Sequence, residues 1–486
     1  MTAPLLAGRP VLVAGLARSG LAACEVLVER GASVVAVDSA TDGPVLDRAA
    51  AAERLGVDVR LGDAADRLDD DIELVVASPG WPPHAPLLVE AARRGTDVWG
   101  EVELAWRLRG TGAATWLVVT GTNGKTTTTR MLEAMLLADG RRALAVGNIG
   151  VPLVSVVTGA QPYDVLAVEL GSPQLHSVRT MSAHAAAVLN IAPDHIDWHG
   201  SFEAYRAAKR VAYDRCAAVA VTNADDATTG ALAAEAALGP RCRQVAFTLG
   251  EPVVGQLGVR DGTLLDLAYP PGDAGDVPAP PRAGIALAAV DDVHPRAPHN
   301  TANALAAAAL ARSVGVRPDA VAEGLRRFVA EPHRIAHVAD IDGVAYVDDS
   351  KATNTHAAET SLAAYPSVVW IAGGLAKGGE FDDLVRRQAG RLRAAVLLGA
   401  DRRRIAEALA RHAPAIPVVE VEGPETSGMS LMDGVVSAAA RLARPGDTVL
   451  LAPACASWDQ FTDYTARGRA FADAVSRLSG GRDGAA

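Results

Sequence analysis

The stretch Val118-Val119-Thr120-Gly121-Thr122-Asn123-Gly124-Lys125-Thr126-Thr127-Thr128-Thr129 gathers residue types that hold phosphate. An apolar strand runs into a small-residue turn with a lysine, then into a helix-forming stretch from Arg130 to Ala138. Glycines admit backbone N–H groups close to an anion, and a helix N-terminus adds a favourable dipole. Lys125 offers a point charge to the outer phosphates, and the Thr126 hydroxyl can reach Mg²⁺. The stretch reads as an ATP site. Its spacing departs from G-x-x-x-x-G-K-[ST], because Val119 stands where the first glycine would fall. The bland alternative, an ordinary strand-to-helix turn with a solvated lysine, leaves the agreement of strand, glycines, Lys-Thr and helix unexplained.

Further acids and bases follow. The strand Val165-Leu166-Ala167-Val168 ends on Glu169, a position suited to holding Mg²⁺ directly or through water, or simply to a solvated or capping carboxylate. The loop Asn190 to Gly200 carries Asp194, His195, Asp197 and His199, either a metal set or hydrogen-bonded loop residues, and the spacing matches no zinc pattern. Projected as a helix, Ser201 to Cys216 places Phe202, Tyr205, Ala212, Tyr213 and Cys216 on one face with Lys209 among them. A lysine there either snorkels or is desolvated enough to lose its proton and take up CO₂ as a carbamate, a lysine-borne carboxylate able to bind Mg²⁺.

The elements that position these residues read as α/β units. Val11 to Gly15, a turn through Gly20, a helix to Arg30 and the strand Ser33 to Asp38 form a βαβ unit. Its turn lacks the middle glycine of the dinucleotide fingerprint, which favours another nucleotide or a bare scaffold over NAD. The strand Leu74 to Ala77 ends in Ser78-Pro79-Gly80. Gly100 to Leu104 leads to a boundary near Gly110. After a Pro/Gly/Asp-rich loop, Tyr269 to Arg282, an Ala-rich helix carries Asn300 and Asn303 one turn apart. In the last third, strands at 344–348, 368–372, 395–398 and 449–451 alternate with helical stretches, implying a second parallel sheet. Their loops bring Lys351, Lys377 and Ser457 to one edge.

With 486 residues the chain suggests about three domains. A net charge of -11 argues against nucleic acid or an anionic membrane surface as a partner. Cys24, Cys216, Cys242 and Cys455 form no C-x-x-C pair, so neither zinc nor a disulfide framework is signalled. No signal peptide or membrane-length apolar run is seen, so a cytoplasmic protein is expected.

Laid out together, these motifs resemble the Mur ligase family of peptidoglycan synthesis over almost the whole chain. The superfamily part is Thr120 to Thr126, Glu169, Asn190 to His195, Lys209, His299-Asn300 with Asn303, and Pro332-His333-Arg334. Asp349-Ser350-Lys351-Ala352-Thr353-Asn354 and Pro453-Ala454-Cys455-Ala456-Ser457-x-Asp459-Gln460-Phe461 are similar to the D-glutamate-adding members. The resemblance implies an α/β fold of three domains. These are an N-terminal Rossmann-like domain for a UDP-sugar (1–110), a central P-loop-type ATPase domain with a parallel sheet (111–331) and a C-terminal Rossmann-like domain for an amino acid (332–486). It implies ATP contacts at Gly121, Thr122, Asn123, Gly124, Lys125, Thr126, Thr127, Asn300, Asn303, Arg334 and Asp349. Two Mg²⁺ ions are implied, involving Thr126, Glu169, His195 and carbamylated Lys209, with Lys125, Glu169, His195 and Lys209 the catalytic set. Ser19, Asp38, Gly80, Asn148 and His195 would contact UDP-N-acetylmuramoyl-L-alanine, and Lys351, Thr353, Lys377, Ser457 and Tyr464 D-glutamate. A monomer is expected.

This chain departs from the family pattern at Gly171, Pro173, Trp458 and Tyr464. The implied reaction is attack of a substrate carboxylate on the ATP γ-phosphate, then of an amine on the acyl phosphate, with domain closure excluding water. The rival readings are a sister Mur-type ligase or folylpolyglutamate synthase, an NAD-dependent oxidoreductase resting on Gly15 to Asp38, and a non-catalytic nucleotide sensor. The Asp349 and Pro453 stretches argue against the first pair and the missing glycine against the oxidoreductase. The sensor leaves His195 and Lys209 unexplained.

Overall fold

A computed structural model describes residues 6–269, 284–329, 332–376, 378–422 and 430–483. The chain divides into two compact units, one running to His294 with Asn300–Phe328, the other made of Pro295–His299 and the residues from Val329 onward.

The first unit holds two sheets. In the first, β1 (Pro10–Ala14), β2 (Ser33–Asp38), β3 (Asp58–Leu61), β4 (Leu74–Ala77) and β5 (Asp97–Gly100) run parallel in the order β3-β2-β1-β4-β5. The order reverses between β1 and β4, so the crevice that open α/β sheets offer a ligand lies between the loops at Gly15 and Ser78. Both loops are tightly fitted. Ser78 Oγ donates to Gly15 O at 2.9 Å, and a Cβ on Gly20 would fall 1.8 Å from that same carbonyl oxygen. Only a glycine lets the helix Arg18–Glu29 start this close to the strand end.

The second sheet comprises β6 (Thr115–Thr120), β7 (Ala143–Gly147), β8 (Val165–Glu169), β9 (Ala185–Val188), β10 (Val219–Asn223), β11 (Arg243–Phe247), β12 (Gln256–Arg260), β13 (Thr263–Asp266) and β14 (Ile285–Ala289), in the order β14-β13-β12-β11-β10-β9-β6-β8-β7. It is parallel from β7 to β12, but β13 and β14 run antiparallel, an edge the sequence reading did not foresee. Asp261 and Gly262 both have positive φ, 49° and 70°, and close the β12–β13 hairpin. Central β6 pairs Val119 with Glu169 and Thr120 with Val188, which sets the phosphate-type loop between the ends of β8 and β9.

One apolar cluster runs through both sheets of this unit, from Val11 and Trp99 to Trp116 and Val168. The helix Glu101–Leu108 fastens the two polar ends of that seam. Glu101 accepts the Val154 N–H at 2.6 Å, and Glu103 accepts from Arg179 N, Thr180 N, Thr180 Oγ1 and Arg107 Nε.

The second unit is built on β15 (Ala336–Ile341), β16 (Val344–Asp348), β17 (Val368–Gly373), β18 (Leu392–Leu398), β19 (Val418–Glu420) and β20 (Thr448–Leu451), ordered β15-β16-β20-β17-β18-β19. The expected parallel sheet is present from β16 to β19, with β15 added antiparallel at one edge. Because β20 lies between β16 and β17, with Leu451 level with both Asp348 and Ile371, the loops after all three strands open at one edge. Among the described residues no helix is long and apolar enough to cross a membrane.

Candidate active site

The helix after β6 begins at Lys125, earlier than the expected Arg130, so Thr126 to Thr129 form its first turn. Two glycines shape the preceding loop. Gly121 has φ 151° and Gly124 has φ 83°, and a Cβ on Gly124 would lie 2.3 Å from Asn303 Oδ1. The Asn303 amide thus lies against the loop itself, and its Nδ2 donates to Asn300 Oδ1 at 3.3 Å. Asn190 clamps the other side, accepting from Asn123 N at 2.8 Å and donating to Asn123 O at 3.1 Å. Lys125 Nζ donates to Gly121 O at 2.9 Å and Thr122 O at 2.7 Å, so its charge is already held at the loop.

Beneath this loop lies Lys209, 1% exposed. Its Nζ donates to Gly121 O at 2.7 Å and Thr120 Oγ1 at 3.1 Å. Burial, then the nearby Lys125 charge, push this amine well below the ordinary lysine range, while Asp194 and Glu169 pull it back up. The amine is buried on these two oxygens rather than carried out to water, so the snorkelling alternative is set aside. The helix carrying it, Phe202–Arg210, stops short of the expected Cys216. Turns follow to Arg215, whose φ of 60° breaks the helical path, and Asp214 is tied there by Arg210 Nη1 and Ala237 N.

Glu169 is 1% exposed. Its Oε1 accepts from Asn148 Nδ2 at 3.0 Å, whereas Oε2 is buried with no hydrogen-bond partner. A buried carboxyl oxygen in that condition calls for a partner, a cation among them. No group of three or more His, Cys, Asp and Glu able to hold a metal exists among the described residues. The unpartnered Glu169 oxygen and the Thr126 hydroxyl are oxygen donors of the kind that suit Mg²⁺ when phosphate oxygens and water complete its shell.

The loop from Asn190 to Gly200 resolves into separate roles. His195, φ 51°, stands half exposed at the start of the short helix Ile196–His199, with Asp194 at 3.7 Å. Burial, with the Lys125 and Lys209 charges, holds its imidazole below the ordinary range, so it lies within their field. His199 packs instead against Trp198 and Tyr205 and joins no metal set.

Of the residues expected to contact the UDP-sugar, Ser19, Asp38 and Gly80 lie with the first sheet, whereas Asn148 and His195 follow strands of the second. Ser19 lies in the first turn of the helix Arg18–Glu29, and a Cβ on Gly80 would meet nothing within 4 Å. Both Asp38 carboxylate oxygens are engaged by main chain, Oδ2 by Leu16 N at 2.7 Å and Oδ1 by Ala40 N at 3.0 Å. Asn148 is committed to Glu169. A pocket at the ends of β4 and β5 is lined by Ser78, Trp81, Glu101, Gln174 and Trp198. Sequence reasoning missed Trp81 and Trp198, because nothing in a lone Trp announces a pocket wall.

In the second unit, Asp349 is buried, taking N–H from Ile335 at 3.3 Å and the Ser361 hydroxyl. Burial raises its carboxyl to about 6, against the lowering charge of Arg334, so the structure brings these two expected residues together. Lys351 Nζ lies 3.9 Å from the Tyr464 ring centroid, a cation–π contact joining two more. Thr353 N donates to Lys351 O at 2.8 Å, and Ser457 is buried. Lys377 lies outside the described residues.

Arg467 there escaped the sequence reading, and His333, quoted only within Pro332-His333-Arg334, was given no role of its own. Buried Arg467 donates to Ser350 Oγ and O, Cys455 O and Gly373 O, tying all three loops of the sheet edge. His333 Nδ1 and Asp348 Oδ2 pair at 2.6 Å. His333, Ile335 and Ala454 hold φ of 65°, 48° and 58°, rare for residues with a side chain, and such backbone clusters at functional loops. No sequence signal marks Arg467 out, because Arg469, Asp473 and Arg477 lie in the same segment.

Comparison with known proteins shows the family. The chain matches the Mur ligase MurD-like N-terminal domain over residues 9–100, the Mur ligase middle domain over 119–260 and the Mur ligase glutamate ligase domain over 333–455. It is 56% identical to the UDP-N-acetylmuramoylalanine–D-glutamate ligase of Streptomyces coelicolor, covering 97% of this chain and 98% of the relative. To the enzyme of that name in Mycobacterium avium it is 48% identical, covering 97% of each. The fold is similar to that of UDP-N-acetylmuramate-alanine ligase from Thermotoga maritima, with TM-score 0.55, 18% identity and coverage of 97% and 99%. This chain belongs to the Mur ligase family and is an ATP-dependent ligase of the group named for D-glutamate addition.

Proposed function

We propose that this ligase joins D-glutamate to UDP-N-acetylmuramoyl-L-alanine at the expense of ATP, through an acyl phosphate. The observation that carries the reading is the buried Lys209 amine on the phosphate-loop carbonyl of Gly121, with the unpartnered Glu169 oxygen on the neighbouring strand. That is a site for activating a carboxylate with triphosphate, where negative charges must be brought together. A hydride-transfer site has no need of it.

In this reading the loop N–H groups from Gly121 to Thr127 hold the ATP phosphates, with Lys125 exchanging its carbonyl partners for phosphate oxygen. Asn300, Asn303, Arg334 and Asp349 are assigned to the nucleotide. The lactyl-alanine carboxylate attacks the γ-phosphorus, the bond to the ADP oxygen breaks, and Lys125 spreads the transferred charge. The D-glutamate amine, placed by Lys351, Thr353, Lys377, Ser457 and Tyr464, then attacks the acyl carbon. The C–N bond forms, a proton leaves nitrogen and phosphate departs. Ser19, Asp38, Gly80, Asn148 and His195 hold the UDP-sugar.

Thr126 would hold one Mg²⁺, which would supply neutralisation of phosphate charge. Lys209 in its neutral form takes up CO₂, forming an N–C bond and releasing a proton. The carbamate it becomes adds a carboxylate to the Glu169 and His195 set for a second Mg²⁺.

The test is phosphate release by the purified chain with ATP and Mg²⁺. Release that requires both UDP-N-acetylmuramoyl-L-alanine and D-glutamate, and not L-glutamate, is expected. Release with another amino acid in place of D-glutamate, or none with either substrate pair, overturns the reading.

A further inference from the structure

The Trp198-His199 pair belongs to none of the phosphate, metal or amino-acid sets above, yet it spans the space between two of them. Trp198 Nε1 donates to Pro79 O at 3.1 Å, reaching the loop that follows β4 beside Gly80. Its ring is part of the pocket wall formed with Ser78, Trp81, Glu101 and Gln174. On its far side it meets the His199 ring edge-on, with centroids 4.5 Å apart at 63°. His199 in turn meets Tyr205 at 5.6 Å and 74°. The Tyr205 hydroxyl shares a 2.7 Å hydrogen bond with Thr122 Oγ1, inside the phosphate loop. His176, from the short helix Ser172–His176 beneath the pocket, leans on Trp198 at 5.4 Å and 82°.

Edge-to-face contacts of this kind are directional and add to simple area burial. The row has little other freedom. His199 Nε2 is buried with no hydrogen-bond partner, so that ring is positioned by its aromatic neighbours alone, and Tyr205 is 1% exposed. A ligand held at Gly80 bears on the Trp198 ring through the loop that the Pro79 bond ties to it. The ring cannot shift without disturbing its bond to Pro79, its contact with His199, or both.

We propose that Trp198 is a positioning residue for the UDP-sugar, and that the row Trp198–His199–Tyr205 couples a ligand at the Pro79-Gly80 loop to the phosphate loop at Thr122. The ligand's identity rests on the function proposed above, while the row itself does not. Coupling of this sort is reciprocal. If the UDP-sugar tightens nucleotide binding, the nucleotide tightens UDP-sugar binding by the same factor. The physical warrant required is a measured coupling that disappears when the row is cut.

The experiment compares the full-length protein with Trp198→Ala, Trp198→Phe and Tyr205→Phe. Steady-state KM and kcat are measured for UDP-N-acetylmuramoyl-L-alanine and ATP. The dissociation constant of ADP is measured with and without the UDP-sugar. In the unaltered protein the UDP-sugar is expected to tighten ADP by about fivefold or more. Trp198→Ala should raise the UDP-sugar KM at least about fivefold with kcat within about twofold, and remove the coupling. Trp198→Phe keeps the edge contacts but loses the bond to Pro79, so it should fall between. Tyr205→Phe should lose most of the coupling while leaving the dissociation constant of the UDP-sugar, measured without nucleotide, near its starting value.

Intrinsic fluorescence gives a readout that activity does not. Titration with UDP-sugar should change the emission of the unaltered protein, and most of that change should be missing in Trp198→Phe. An unchanged KM in Trp198→Ala, with full coupling, overturns the proposal. So does a raised KM with coupling intact, which would leave Trp198 a pocket wall and nothing more. If the unaltered protein releases no phosphate and binds no UDP-sugar, the functional reading fails first and this inference falls with it.

Discussion

Lys209 is where the residue-scale argument is sharpest, because its amine can be neither solvated nor paired with a carboxylate where it stands. Both of its hydrogen bonds go to neutral oxygens, Gly121 O and Thr120 Oγ1. Lys209→Ala removes the amine and with it any carbamate. Activity is expected to fall by about 100-fold or more, the scale seen when a charge-stabilising group is lost from a closed site. High bicarbonate should not restore it, whereas a short-chain carboxylate such as formate or acetate should restore part. Unchanged activity in the Ala variant would return Lys209 to packing. The sequence showed this lysine on an apolar helical face but not which of two fates it meets. That depended on Thr120 and Gly121 arriving from another strand, a contact across some 90 positions that periodicity does not encode. His199 shows the opposite case. Its residue type suggested a ligand, and its neighbours Trp198 and Tyr205 made it part of an aromatic row.

Elements were legible to different degrees for physical reasons. Buried parallel strands announce themselves as short runs of Val, Leu and Ala, so β1, β6, β8, β16, β17 and β20 stood out. The antiparallel edges β13, β14 and β15 carry weaker signals, since β13 is only Thr263-Leu264-Leu265-Asp266, β14 is Ala-rich and β15 is interrupted by His337 and Asp340. The departure at Gly171 can now be weighed. Gly171 begins the helix Ser172–His176 with φ -76° and ψ 161°, a conformation open to any residue. The nearest atom to an added Cβ would be Gln174 Oε1 at 3.5 Å, an ordinary contact. Gly171→Ser should therefore fold normally, with stability unchanged or raised by a few tenths of a kcal/mol through better capping. A fall in melting temperature equivalent to more than about 1 kcal/mol would show that the site needs glycine. In the second unit the fragile element is the loop triad held by Arg467. Arg467→Lys keeps the charge but cannot serve Ser350, Cys455 and Gly373 together. It should destabilise that unit by about 2 kcal/mol and raise the D-glutamate KM more than it lowers kcat. An unchanged KM would reduce Arg467 to a packing role.

At the scale of the whole molecule, the distribution of apolar clusters predicts how the chain comes apart. In the first unit one cluster runs through both sheets, so its two sheets should unfold together. The second unit has its own clusters, confined to residues from Ile335 onward. Calorimetry should accordingly show two transitions. The seam inside the first unit contains Glu101, 4% exposed, whose carboxyl is raised to about 7 by burial, against the lowering effect of the Val154 and Leu153 N–H groups. Its value in the unfolded chain is near 4.5. Between those two values the folded state keeps a proton that the unfolded state has released. Stability of the first unit should therefore fall as pH rises from about 4.5 to about 7, and level off above. Glu101→Gln keeps an oxygen for the Val154 N–H and carries no charge. At pH 8 it should raise the first-unit transition by an amount worth about 2 kcal/mol, and at pH 4 by nearly nothing. The comparison between variants matters because Asp349, raised to about 6, gives the second unit a pH dependence of its own. A Gln variant whose gain is the same at both pH values would show that Glu101 does not titrate in the seam.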